Sequence, residues 1–217
     1  MLIIKCLIVK NNLIFSFRRK ELIFAQIFSF RLQMRIISGK NKGKRLVAPQ
    51  KLPVRPTTDF AKEALFNILN NLYYFNEISV LDLFSGTGNI SYEFASRGCE
   101  HLISVDSHSG CIQFINKISD ELKFGINAIK SDVYTFLQKT TQTFDVIFAD
   151  PPYDFQQDKF NEIIQLVFNK NLLNENGILI IEHSKHVELE TLPHFSYDKK
   201  YGGSVFSFFE NTEEDTN

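Results

Sequence analysis

Cysteine is scarce: three residues, Cys6, Cys99 and Cys111, in a chain of 217. They show neither a pairing pattern nor metal-ligand spacing, so a disulfide framework and a zinc site are both disfavoured and a reducing cytoplasm fits best. His183 and His186 are three apart with no third ligand of matching spacing, so they are expected at the surface or at a strand end, with no metal bound. No apolar run reaches the ~18 residues needed to span a bilayer. In residues 1-33, rich in Ile, Leu and Phe, every run is cut by Lys5, Lys10 or the Arg18-Arg19-Lys20 cluster. A secretory signal needs a clean apolar core and a small-residue cleavage site, and the pattern of residues 1-33 makes a convincing case for neither. Internal repeats and long linkers are absent too, and the length suits one α/β domain with a small appendage, not two full domains.

Net charge is also lacking, but only as a sum. The formal charge of -1 divides into +5 over residues 1-33, +7 over residues 34-62 and -13 over the rest. An acidic body with one basic arm points to a polyanionic partner held by that arm, because counterion release is local to clustered Lys and Arg. A solvated basic loop is the competing reading. Met34 opens a coherent strand-and-turn pattern, so residues 1-33 are expected to be an extension outside the folded domain, from a misplaced start codon or left disordered. The alternative for them is a short amphipathic membrane-surface or partner segment.

Arg35-Ile36-Ile37-Ser38-Gly39 and Asn41-Lys42-Gly43-Lys44-Arg45-Leu46-Val47 form the pattern of a short hairpin with a basic turn. Pro53 and Pro56 then hold the chain extended, and Thr58 or Asp59 suits a helix cap. Ala61, Ala64, Leu65, Ile68, Leu69 and Leu72 lie at helical spacing, predicting an amphipathic helix over 59-72 packed on the main body. From Ser79 the pattern alternates strand and helix, the mark of a mostly parallel sheet covered by helices. Strands are predicted at 79-84, 101-105, 126-130, 144-149, 177-182, 194-198 and 204-209, and helices at 90-97, 109-123, 133-139 and 157-169. The last two strands have no helix between them and should form an antiparallel hairpin at one end of the sheet. The parts are then an extension (1-33), a basic hairpin-helix appendage (34-75), the main domain (76-209) and a solvated acidic tail (210-217).

The run Val80-Leu81-Asp82-Leu83-Phe84-Ser85-Gly86-Thr87-Gly88 places two glycines directly after an apolar strand, where a ligand can approach the backbone closely. A dinucleotide site would have a third glycine at position 91, which is Ser91, and would not carry Asp82 inside the strand. Asp82 suits instead the ammonium group of an amino-acid-like cofactor. Asp106 closes the next strand, twenty residues after Gly86, where a carboxylate accepts from ribose hydroxyls. Asp132 closes the third and can meet an adenine amino group. Each aspartate alone is also a plausible helix cap. Together they line the carboxyl edge of the sheet and fit S-adenosylmethionine, which has no pyrophosphate to demand a fuller glycine loop.

Asp150-Pro151-Pro152-Tyr153 follows the apolar strand Phe144–Ala149. An exocyclic amine is a poor nucleophile because its lone pair is delocalised into the ring. Asp150 and the Pro151 carbonyl, its direction fixed by the two prolines, would accept its protons and aim the lone pair at a methyl group. Tyr153 would stack on a base turned out of its own stack. Positioning supplies the larger share of such catalysis. The bland alternative is a Pro-Pro turn ending a strand.

Met34-Arg35-Ile36-Ile37-Ser38-Gly39-Lys40, Arg55-Pro56-Thr57-Thr58-Asp59, Glu63-Ala64-Leu65-Phe66-Asn67-Ile68-Leu69, Leu81 to Gly88 and Asp150 to Tyr153 together resemble the bacterial 16S rRNA guanine-N2 methyltransferases of the RsmD family, from about Met34 to Phe209. The resemblance implies a class I, Rossmann-like methyltransferase fold, S-adenosylmethionine as donor, and a guanine amino group of 16S rRNA in an assembling small subunit as acceptor. Carried over by position, Asp82, Gly86 and Gly88 would bind the cofactor, Asp106 its ribose and Asp132 its adenine. The Arg55-Pro56-Thr57 segment would border the cofactor, and Asp150 to Tyr153 would take the base. Arg35, Lys40, Lys42, Lys44 and Arg45 would meet RNA, and a monomer is expected. Two departures stand out: residues 1-33 have no counterpart, and Asp106 stands where relatives often have Glu.

A DNA adenine-N6 methyltransferase shares the Asp-Pro-Pro-Tyr chemistry but needs a sizeable target-reading region, which is missing. A protein-glutamine methyltransferase favours Asn at position 150. A non-enzymatic rRNA-binding assembly factor would keep the fold without needing the cofactor.

Overall fold

The computed structural model describes residues 33–49, 52, 57–152 and 155–211. The expectations for residues 1-32, for Arg55, Pro56 and Tyr153, and for the tail beyond 211 lie outside the described residues.

Two short strands, β1 (Gln33–Arg35) and β2 (Arg45–Val47), pair antiparallel, and β1 begins one residue inside the segment expected to be extraneous. Helix α1 (Asp59–Leu72) follows; the Thr58 side chain accepts the Ala61 N–H at 3.2 Å, so the threonine and not Asp59 is the cap. The main layer is β3 (Ser79–Leu83), α2 (Asn89–Ser96), β4 (His101–Asp106), α3 (Ser109–Leu122), β5 (Asn127–Lys130), α4 (Val133–Lys139), β6 (Phe144–Ala149), α5 (Gln157–Asn169), β7 (Leu173–Ser184), β8 (Phe195–Tyr201) and β9 (Ser204–Glu210). Its seven strands run in the order β5-β4-β3-β6-β7-β9-β8. The first five are parallel, while β9 runs antiparallel to β7 and β8 antiparallel to β9.

Strands buried on both faces read as continuous apolar runs, and alternate residues serve opposite cores. Val146 and Phe148 of β6, like Ile178 and Ile180 of β7, join the cluster under α1, α2 and α3, whereas Ile147, Ala149, Leu179 and Ile181 join the one under α4 and α5. Two strands extend beyond their apolar runs. β7 starts at Leu173, paired with Phe144, because a register shift lets the polar stretch Asn174–Asn176 pass before the apolar run resumes. β8 reaches Tyr201 because an edge strand tolerates the charged Asp198-Lys199-Lys200.

The N-terminal hairpin is fastened to the main layer and shares its core. Met34, Ile36, Leu46 and Ala48 pack with Phe66, Phe94 and Val80. The Glu93 carboxylate of α2 accepts the N–H groups of Ile37 (2.7 Å) and Ser38 (2.9 Å), and the Arg97 guanidinium at 2.9 Å. Lys62 of α1, 1 % exposed, donates to the Arg35 carbonyl at 2.7 Å and to Asn89 Oδ1 at 2.8 Å, and lies 3.7 Å from Glu93. Burial lowers the pKa of this ammonium while Glu93 holds it up. Gly39, at φ +80°, sits so close to α2 that a Cβ there would lie 1.9 Å from the Ser96 carbonyl oxygen.

From β3 the chain moves outward through β4 to β5, then returns to the other side of β3 to place β6. The strand order reverses at β3 and β6, which opens a crevice at their carboxyl ends, the usual ligand position in open α/β sheets.

Candidate active site

That crevice is a cavity of about 830 Å³, within the ~300–1,000 Å³ common for ligand pockets. Its floor is the turn after β3. Gly86 (φ +51°) and Gly88 (φ +81°) take left-handed backbone there, and a Cβ on Gly88 would come within 2.9 Å of the Tyr92 and Ile115 side chains. Phe84 holds φ +56° without the excuse of being glycine, a strain of about 1–2 kcal/mol. Its ring packs edge-on against Phe155 at 5.5 Å.

Asp82 lies on the β3 face that carries Val80 and is 1 % exposed. The Ser91 hydroxyl donates to it, and Ser91 lies 2.7 Å from the Ser104 hydroxyl. Burial pushes the Asp82 carboxyl up to about 7, against the pull of Ser91. Asp106 ends β4 and accepts the Gly86 N–H at 2.8 Å on one oxygen and the His108 N–H at 2.7 Å on the other. It thereby shapes the glycine turn as well as facing the cavity. Each carboxylate oxygen accepts more than one donor, so ribose hydroxyls remain compatible with it.

Asp150 follows β6, its N–H donating to the Leu83 carbonyl at 3.4 Å. Burial first, then the charges of Glu182 and Asp82, push its carboxyl well above the ordinary range. Pro151 and Pro152 line the same wall, and the Pro152 carbonyl accepts the Phe155 N–H at 3.0 Å.

Not every residue singled out from sequence reaches the cavity. Asp132 is exposed and caps α4, accepting the Thr135 N–H at 2.9 Å, and is not among the lining residues. Thr57 does line it; its hydroxyl donates to Glu182 at 2.8 Å and its carbonyl accepts from Asn89 Nδ2 at 3.1 Å, so it bridges the start of α2 to β7. Arg35 pairs with Asp59 at 3.0 Å, Lys44 with Glu121 at 3.2 Å, and the Lys40 ammonium sits 5.2 Å from the Phe124 ring centre. Lys42 and Arg45 are exposed on the same hairpin. His183 lies at the end of β7 with its ring nitrogens 2.8 Å from the Ser207 hydroxyl and 2.9 Å from the Ser184 carbonyl. Burial pushes the Cys99 and Cys111 thiols up to about 12.

Glu182 was missed by sequence reasoning. It lies on the β7 face of Ile178 and Ile180, close enough for its charge to act on Asp150, and accepts the Thr57 and Ser204 hydroxyls at 2.8 and 2.7 Å. A lone acid closing the apolar run Ile178–Ile181 was the available signal. Phe60, 66 % exposed, and Tyr201 meet edge-on at 6.0 Å at the cavity's rim and were also missed.

Among the described residues four carboxylates, Asp82, Asp106, Asp150 and Glu182, line the cavity, and no lysine or arginine does. A cavity with acidic groups in such number suits a ligand that carries positive charge. S-adenosylmethionine, with its sulfonium and ammonium charges and no phosphate, fits it.

Comparison with known proteins agrees with this chemistry. The family model described as "Conserved hypothetical protein 95" matches residues 34–210. YlbH of Bacillus subtilis is 37 % identical over 161 residues, which cover 72 % of this chain and 85 % of YlbH. Ribosomal RNA small subunit methyltransferase D of Escherichia coli is 29 % identical over 162 residues, 74 % of this chain and 80 % of that one. Among solved structures, Escherichia coli yhhF superposes with a TM-score of 0.71 at 28 % identity, covering 82 % of this chain and 97 % of its own. The Thermus thermophilus 16S rRNA N2 G1207 methyltransferase RsmC, solved with AdoMet and guanosine, shares the fold. Its TM-score is 0.67 at 18 % identity, and the match covers 84 % of this chain and 50 % of RsmC.

Proposed function

The chain belongs to the family described as Conserved hypothetical protein 95, and from that premise we propose that this rRNA methyltransferase acts on the exocyclic N2 of a guanine in 16S rRNA, on assembling small subunits in the cytoplasm. Its donor is S-adenosylmethionine, which supplies an electrophilic methyl group whose transfer leaves a neutral thioether. The observation that carries the reading is that Asp150-Pro151-Pro152 lines the same acidic cavity as Gly86 and Thr87 of the glycine turn, Asp82 and Asp106.

In this reading Asp106 takes the ribose hydroxyls and Asp82 faces the donor's cationic end. Asp150 accepts a hydrogen bond from the guanine amine, which turns the nitrogen lone pair toward the methyl group, and the Pro151 carbonyl takes the second amine hydrogen. Once the new N–C bond forms, the amine becomes acidic and Asp150 receives its proton. A carboxylate whose proton affinity is raised by burial and by the neighbouring charges suits that role, because it takes up a proton more readily than an exposed one. Tyr153, next in sequence, would stack on the flipped base, and the hairpin cations Lys40, Lys42 and Arg45 would hold the RNA backbone.

The test is incubation of the protein with S-adenosylmethionine and small subunits from cells lacking its gene, followed by mass spectrometry of the nucleosides. N2-methylguanosine in 16S rRNA is the expected product; cofactor binding without any methylated guanine would overturn the reading. Asp150→Ala should lower turnover by about 10²-fold or more while leaving cofactor affinity within a few-fold.

A further inference from the structure

Glu182 is buried (6 % exposed) in a wall of the cavity that the transfer chemistry leaves without a task. Ala149, the last residue of β6, pairs with Ile181, so Asp150, just past that strand, and Glu182 of β7 each follow this pair by one residue, and the Glu182 charge acts on Asp150. Both line the main cavity and a smaller one beside it. The orientation of Glu182 is fixed from two sides: Thr57 donates to one carboxylate oxygen at 2.8 Å and Ser204 to the other at 2.7 Å. Those donors come from the segment before α1 and from the start of β9, so three separate parts of the chain converge to aim one carboxylate.

Two adjacent carboxylates match one purine edge. Guanine alone among the RNA bases presents a ring N–H directly beside an exocyclic amine, two donors side by side. Adenine has an amine beside a bare ring nitrogen, which a carboxylate repels.

We infer that Glu182 is the guanine-reading residue, accepting the N1–H of the target base while Asp150 accepts from its N2 amine. This rests on the guanine-N2 reading above and supplies its base specificity. A buried acceptor facing a ring nitrogen without a proton leaves two acceptors opposed, and sites built to satisfy a particular hydrogen bond reject analogues that lack it by large factors.

2-Aminopurine separates the two claims, since it keeps the N2 amine but has a bare, accepting N1. The probes are small subunits assembled on 16S rRNA and on a ligated 16S rRNA carrying 2-aminopurine at the guanine that the wild-type protein methylates. Wild-type protein should prefer guanine over 2-aminopurine in kcat/KM by at least ~10²-fold. In Glu182→Gln the amide N–H donates to the bare N1, so the preference should fall at least ~10-fold while cofactor affinity stays within two-fold. A purely structural role for Glu182 would lower both rates together and leave their ratio unchanged, and that result overturns the inference. Equal wild-type rates on the two bases overturn it without any variant, should Glu182→Gln fail to fold. Absence of any N2-methylation by the wild-type protein would instead sink the functional reading itself.

Discussion

Asp82 and Asp150 hold their protons more tightly than exposed carboxyls do, and burial is the first cause in both. For Asp82 the sign is definite. Between about pH 4 and about pH 7 the folded chain keeps this proton and the unfolded chain gives it up, so stability falls as pH rises across that window and levels off above it. The effect is on the order of 1.4 kcal/mol per pH unit. Asp82→Asn removes the term while keeping an acceptor for Ser91. Its melting temperature should therefore drop less than that of the wild type between pH 5 and pH 8, and its affinity for S-adenosylmethionine should weaken. Parallel melting curves with undiminished affinity would refute this account of the residue. Asp82 and Asp106 were singled out as carboxylates at the ends of successive apolar strands, and both line the cavity. Asp132 satisfied the same pattern and serves as a helix cap, since residue type and spacing cannot separate a cap from a ligand when both sit just past a strand. Glu182 escaped notice because its setting is made by Thr57, 125 residues away.

At the scale of elements, the N-terminal hairpin combines an anchored face with a basic one. Gly39 carries the anchor: a Cβ would strike the Ser96 carbonyl and the backbone has positive φ. Gly39→Ala should cost at least ~2 kcal/mol in denaturant unfolding, and a change under ~0.5 kcal/mol would show that the hairpin docks loosely. The other face was read correctly as a cluster of charge, but two of its cations are already engaged by acids, Arg35 with Asp59 and Lys44 with Glu121. Charge reversal at Lys40, Lys42 and Arg45 should therefore carry most of the effect on RNA affinity. Each lost phosphate contact should flatten the slope of log K against log salt by ~0.7–0.9; filter binding across a salt series measures it, and an unchanged slope would remove the hairpin from the interface. The hairpin's attachment was not readable in advance, because Glu93 and Lys62 sit on amphipathic helices where a charge ordinarily faces water.

For the molecule as a whole, the parallel sheet was legible because strand and helix periods differ and the apolar runs are long. The order of its strands follows from short connections and from the reversal at β3 and β6, which also sets where the cavity must be. The hairpin-helix segment over 34-75, expected as a small appendage with its helix packed on the main body, shares the core of the main layer: the Phe66 ring of α1 lies 4.6 Å from that of Phe94 of α2, and the Arg97 guanidinium sits 4.7 Å from the Phe66 ring centre.

The grip on Glu182 bears on when the protein becomes competent during its own synthesis. The glycine turn, Asp82 and Asp106 are drawn from residues that leave the ribosome early, whereas Glu182 is steadied by Thr57 from near the start of the sheet-bearing chain and by Ser204 from near its end. At ~5–20 residues per second those segments emerge seconds apart. A nascent chain can assemble its donor half while its acceptor half is still unmade, so the residue that would choose the base is aimed only when β9 has closed the sheet.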